Sequence, residues 1–149
     1  MSASYSCPEE HKLRTKKAII FTDGAAEPNP GPAAIGAVIK DEKGKLITSI
    51  SQHIGTTTNN QAEYRAIITA LEKAIKLGAT HVEVNSDSEL VVRQINGRYR
   101  VKNAALRPLY RQVKQLQGLL EGFTITHIPR EQNTEADRLT NAALDLIID

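Results

Sequence analysis

The hydrophobic pattern first changes its period near Thr58, and that change limits the possible folds more than any other feature of the chain. Before it, Lys17–Asp23, Ala33–Asp41 and Lys45–Ile54 are short apolar or alternating segments of strand character. The residues Asp41-Glu42-Lys43-Gly44 separate the second from the third as a hairpin turn would, so the three predict an antiparallel meander. After it, Ala62, Ala66, Ala70, Ala74 and Leu77 recur with Ile67, Leu71 and Ile75 beside them. That is the 3.6-residue repeat of a helix over Asn59–Leu77 packed on a sheet, with Gly78 as its stop. Thr80–Asn85 is short, β-branched and follows the helix. A strand, a crossover helix and a strand imply parallel pairing with a right-handed crossover, so the sheet is expected to be mixed.

The remaining elements follow the same two periods. Ser88–Ile95 predicts a short helix ending at Asn96-Gly97. Asn103–Leu120 predicts a longer one, with Leu106, Leu109, Tyr110, Val113, Leu116 and Leu120 as its apolar stripe and Arg107, Arg111 and Lys114 on another face. Phe123–Ile128 reads as a fifth strand, and Asn133 to about Ile147 as a last helix with Ala136, Leu139, Thr140, Ala143 and Ile147 inward. The expected order is β-β-β-α-β-α-α-β-α. Residues 1–15 are polar, contain Pro8 and show no period, so they read as a flexible tail, leaving 16–149 as a single domain.

Composition removes several classes of function. No apolar run approaches the ~20 residues of a membrane span. The single cysteine, Cys7, cannot form an internal disulfide or a cysteine-bound zinc site, and no charged start with an apolar core marks secretion. The expectation is a cytoplasmic protein that does not engage membranes. No HExxH occurs, and Gly31–Gly36 lacks the Lys-Ser/Thr that would complete a phosphate-cradling loop. His53, His81 and His127 fall in strand segments and His11 in the tail, where packed or surface roles are ordinary.

Four carboxylates remain, each at the end of an element and beside core positions. Asp23 closes the first strand and Asp87 follows the fourth; Glu63 lies in the first turn of the long helix and Asp137 in the first turns of the last. Parallel first and fourth strands would bring Asp23 and Asp87 out of the same carboxyl edge, where open α/β sheets place their ligands. Two like charges there repel unless a cation separates them, and an oxygen-only set of this kind suits Mg²⁺ or Mn²⁺. Each acid also has a structural explanation: a turn residue for Asp23, a helix cap for Asp87, a complement to the helix dipole for Glu63 and Asp137. Spacing alone leaves both readings open. From Leu90 to Leu120 there is no acid at all, while Arg93, Arg98, Arg100, Lys102, Arg107, Arg111 and Lys114 all fall inside, either a solvated helix face or a contact for a polyanion.

The stretches TDGAAEPNPGPAAIGAVI, TTTNNQAEYRAIITALEKA, VEVNSDSELVVRQINGRYRVKN and IPREQNTEADRLTNAA resemble, in order, the motifs of type 1 ribonuclease H, particularly its compact archaeal and bacterial forms. The resemblance runs from about Lys17 to Ala143. It implies the ribonuclease H-like fold, a five-stranded mixed sheet in the order 3-2-1-4-5 flanked by helices. It further implies an endonuclease that hydrolyses the RNA strand of RNA/DNA hybrids and leaves 3′-hydroxyl and 5′-phosphate ends.

Asp23, Glu63, Asp87 and Asp137 match the family's metal-binding catalytic carboxylates. Two Mg²⁺ ions, replaceable by Mn²⁺, would lie ~3.5–4 Å apart. Asp23 would bridge them, Glu63 and Asp87 would help place them, and Asp137 would hold the ion that activates water. Asn29, Asn59 and Asn60 match positions that meet the hybrid in its minor groove, and Thr58 matches a phosphate contact on the DNA strand. Arg98, Arg100 and Lys102 correspond to a shortened basic protrusion that binds phosphates without reading sequence.

Two departures stand out. Glu89 replaces a Gln that contacts RNA in bacterial members, and IPREQNTEAD lacks the loop histidine that many of them carry. The expected partner is an RNA/DNA hybrid bound by a monomer, with double-stranded RNA as a second possible duplex. A binding module of the same fold without catalysis, and a nuclease for double-stranded RNA or DNA, are the alternatives.

Overall fold

A computed structural model describes residues 16–148; the tail expected over residues 1–15 lies outside them, as does the side chain of Ile147. Strands β1 (Lys17–Ala26), β2 (Gly31–Asp41) and β3 (Leu46–Thr57) are followed by α1 (Asn59–Lys76), β4 (His81–Ser86), α2 (Glu89–Ile95), α3 (Arg107–Gln117), β5 (Gly122–His127) and α4 (Thr134–Ile148). The strands form one sheet in the order β3-β2-β1-β4-β5. β1 pairs antiparallel with β2 and parallel with β4, and β5 continues the parallel half. The meander and the crossover predicted from the change of period are both present.

The larger core lies between the sheet and α1. Ile20 pairs with Ile39 on one side and Val84 on the other, and all three are fully buried beneath Tyr64, Ile67 and Leu71 of α1. Burying each such aliphatic side chain contributes about 2 kcal/mol. Val113 of α3 closes this core, and the Tyr64 hydroxyl donates to Gln94 Oε1 at 2.7 Å, which fastens α1 to α2. A smaller cluster holds α4 to the opposite face through Ala34, Ala143 and Leu144.

Several boundaries differ from expectation for local reasons. β1 does not end at Asp23 but runs on to Ala26, because β2 continues to pair beyond the point where β4 stops. Asp23 is the first residue past the last parallel pair, Thr22 with Ser86, and still faces Gly36 of β2. Thr58 caps α1 by accepting from the Gln61 amide while Gln61 bonds back, so Glu63 falls in the second turn and not the first. α3 begins only at Arg107, with Pro108 in its first turn; Asn103 instead holds a preceding turn through the Ala105 amide at 2.8 Å. The apolar stripe outlasts the helix, since Leu106 is buried all the same. A short 3₁₀ turn at Arg130–Gln132 lies between β5 and α4. Among the described residues no helix is long and apolar enough to cross a membrane.

Two glycines let helices reach the sheet beside Asp23. A Cβ on Gly24 would collide with the Ala62 carbonyl and stand 2.7 Å from the Glu63 amide nitrogen. A Cβ on Gly36 would collide with the Ala136 carbonyl of α4 and stand 2.6 Å from Thr140 Oγ1. Both contacts involve backbone that cannot swing away. Gly24→Ala is therefore expected to cost about 3 kcal/mol in a urea titration. Gly44→Ala, at a hairpin position with φ of 85° and open space around it, should cost only about 1 kcal/mol.

Candidate active site

Asp23, Glu63 and Asp87 each contribute one carboxylate oxygen to a group in which all lie within 4.8 Å of one another. Parallel pairing explains two of them: Thr22 and Ser86 are register partners, so the next residues, Asp23 and Asp87, leave the same edge of the sheet. The close approach of α1 over Gly24 supplies the third. Asp137 stands outside this trio. Its Oδ1 lies 3.6 Å from Arg130 Nη2 and its Oδ2 accepts from Asn141 Nδ2 at 3.3 Å.

Crowding and burial oppose ionisation. Burial pushes the Asp23 carboxyl up to about 6; Thr140 opposes the shift through a hydrogen bond, Asp87 and Asp137 add to it, and Arg130 offsets part of it. Glu63 is raised well above the usual carboxylate range, first by burial and then by the charges of Asp23 and Asp87. Its Oε1 is buried with no hydrogen-bond partner among the described residues. Such an oxygen is costly unless something positive reaches it.

The structural explanations of these acids fare unequally. Glu63 is too far along α1 for its N-terminal dipole, and Ser88, not Asp87, caps α2 by accepting from the Val91 amide at 3.4 Å. Asp23 is held in strand pairing, so it is no turn residue. For Asp137, which is in the first turn of α4, the dipole remains a sufficient reason.

Most of the residues matched to hybrid contacts line two clefts. Asn29, Thr58 and Asn60 line one with Asn103, a residue the sequence reading passed over. Asn59 is not part of that lining: its Oδ1 accepts from the Ala26 amide at 2.6 Å, and Asn29 Oδ1 accepts from the Asn59 amide at 3.0 Å. These bonds staple the Glu27–Pro30 loop to the start of α1 and leave each side chain its NH₂ group for a ligand.

Arg100 and Lys102 line the second cleft with Tyr99, Arg107, Tyr110 and Arg111, while Arg98 is exposed outside that lining. Part of the basic block serves the fold itself. Arg107 donates to the Val101 and Lys102 carbonyls, both at 3.2 Å, and Lys114 to the Ile95 carbonyl at 2.8 Å. Glu89, where the family often has Gln, pairs with Arg93 of its own helix at 2.9 Å. Asn133, read from sequence only as the start of the last helix, is 1% exposed and donates to the Thr22 carbonyl at 2.8 Å and to Asp87 Oδ2 at 3.2 Å.

Comparison with known proteins agrees with this architecture. The model of the family described as reverse transcriptase-like matches residues 21–143. The bifunctional protein Rv2228c of Mycobacterium tuberculosis is 44% identical over 130 residues, 87% of this chain and 36% of that protein. Ribonuclease HI of Halobacterium salinarum is 41% identical over 125 residues, 84% of this chain and 63% of that protein. This chain thus spans about a third of the first relative and under two thirds of the second. The crystal structure of LC11-RNase H1 in complex with an RNA/DNA hybrid is 44% identical and superposes with a TM-score of 0.85, over 89% of this chain and 99% of that one. A family model spanning most of the domain, and relatives above 40% identity over the same residues, support one assignment: the chain belongs to the type 1 ribonuclease H family, in its compact form.

Proposed function

We propose that this chain is a metal-dependent endoribonuclease that hydrolyses the RNA strand of RNA/DNA hybrids and leaves 3′-hydroxyl and 5′-phosphate ends. The observation that carries the reading is the trio Asp23, Glu63 and Asp87, which bring carboxylate oxygens within 4.8 Å of one another, together with the buried Glu63 Oε1 that has no hydrogen-bond partner among the described residues. An all-oxygen set with excess negative charge fits Mg²⁺, with Mn²⁺ as a substitute, and has no soft donor for other metals. Asp23, Glu63, Asp87 and, from α4, Asp137 would hold two such ions. The chemistry the ions supply when bound is activation of water for attack on the phosphodiester and neutralisation of the leaving oxygen.

The protein's own residues do the rest. The sheet edge fixes Asp23 and Asp87, and α1 brings Glu63 to them. Asn29, Asn59 and Asn60 can sense ribose hydroxyls through their amides, and Thr58 can take a DNA-strand phosphate. Arg98, Arg100 and Lys102 would grip phosphates farther along the duplex. The hybrid-bound LC11-RNase H1 supports the choice of duplex. A monomer in the reducing cytoplasm completes the reading, consistent with a single cysteine.

Incubation of labelled RNA/DNA hybrid, double-stranded RNA and double-stranded DNA with Mg²⁺ or EDTA tests it directly. Cleavage is expected only of the RNA strand of the hybrid, only with metal, and at a rate ~10²–10³-fold or more lower in Asp23→Asn. Preferential cutting of double-stranded RNA would replace the substrate in this reading, and full activity of Asp23→Asn would remove the site.

The raised carboxyl of Asp23 gives a second test without substrate. Its ordinary value is 3.8 and its folded value about 6, so the folded state holds the proton more tightly than the unfolded chain. The corresponding stability is complete below about pH 4 and is lost as pH rises past about 6. In metal-free urea titrations at pH 8, Asp23→Asn is therefore expected to be about 2 kcal/mol more stable than the parent. The difference should vanish at low pH, and Mg²⁺ should stabilise the parent far more than the variant.

A further inference from the structure

We propose that Asn133 is a positioning residue that sets Asp87 against Asp23 and Asp137, an inference that rests on the metal-dependent reading above. Its side chain is 1% exposed and its amide nitrogen donates twice, to the Thr22 carbonyl at 2.8 Å and to Asp87 Oδ2 at 3.2 Å. Its own carbonyl accepts from the Asp137 amide at 3.1 Å. One residue thus touches the peptide preceding Asp23, the carboxylate of Asp87 and the backbone of Asp137.

The orientation of the amide is forced. Thr22 O and the Asp87 carboxylate only accept, so the NH₂ group must face them. That leaves Asn133 Oδ1 buried and without a partner among the described residues. An asparagine that merely capped α4 would do the reverse, accepting backbone amides with its oxygen. Here the capping atom is idle and the donor is engaged, which a cap does not explain. Glutamine is longer by a methylene, aspartate cannot donate twice, and leucine fills the space with no N–H.

Asn133 is too buried to touch a duplex, so its effect must reach catalysis through the carboxylates. Residues that orient metal-holding side chains typically change metal affinity by 10–100-fold when removed. The test compares the parent with Asn133→Leu, which keeps the volume and deletes the donors. The half-saturating Mg²⁺ concentration is read both from the shift in melting temperature and from hybrid cleavage.

The expectation is at least a ~10-fold rise by both readouts, with kcat lowered at limiting Mg²⁺ and recovering toward the parent at saturation, and KM for the hybrid unchanged. Unchanged Mg²⁺ dependence, or a change confined to KM, overturns the proposal. Should Asn133→Leu fail to fold, side-chain amide NMR of the unaltered protein carries the test. The Asn133 NH₂ signals should shift as Mg²⁺ alone is added, while those of Asn96, bonded to the Ile125 carbonyl at 3.1 Å, stay fixed. Equal or absent shifts overturn the proposal. If the parent cleaves no hybrid yet the Asn133 signals follow Mg²⁺, the positioning role stands and the substrate reading falls.

Discussion

Mutual repulsion of carboxylates at the edge of a sheet is the constraint around which this domain is arranged. Asp23, Glu63 and Asp87 would separate if their backbones allowed it. They stay together because each hangs on a rigid element. Asp23 and Asp87 are one residue past a pair in a parallel ladder, and Glu63 is locked on a helix that abuts Gly24. Hydrophobic burial of Ile20, Ile39, Val84, Tyr64, Ile67 and Leu71 directly behind them offsets the electrostatic cost. The core is thus the support that lets a destabilising group of charges persist.

The approach of α1 and α4 from opposite faces shows how small residues locate large effects. Gly24 admits α1 and Gly36 admits α4, and these glycines flank Asp23 in sequence and across the sheet. A methyl group at either would move a helix that carries an acid. The basic segment follows a similar economy. Arg107 and Lys114 bond backbone carbonyls near the Arg98–Lys102 stretch and α2, so part of the positive charge shapes the surface that the rest presents.

Much of this was legible in the residues, and the exceptions have identifiable causes. The alternation through β1 to β3 and the repeat of Ala62, Ala66, Ala70 and Ala74 are strong local signals, and parallel pairing of β1 with β4 follows from the crossover. The motif acids could be picked out, but their separation could not: Asp137 answers to Arg130 and Asn141 rather than joining the trio. The extension of β1 past Asp23 depends on how far β2 reaches, a pairing that no local pattern reports. The helix start at Asn59 was legible, but the capping box of Thr58 with Gln61 that fixes it, and with it the place of Glu63 beyond the first turn, was not. Asn133 was invisible because a lone asparagine before a helix looks like a cap; only its partners 111 and 46 residues away show its donor at work.

The central claim is that the carboxylate trio is a divalent-metal site, and crystals grown with Mn²⁺ test it most directly. Anomalous scattering should place manganese among the side-chain oxygens of Asp23, Glu63 and Asp87, with Glu63 Oε1 turned to the ion. Manganese bound only elsewhere, or none at millimolar concentration with the three side chains ordered as described, would contradict the account.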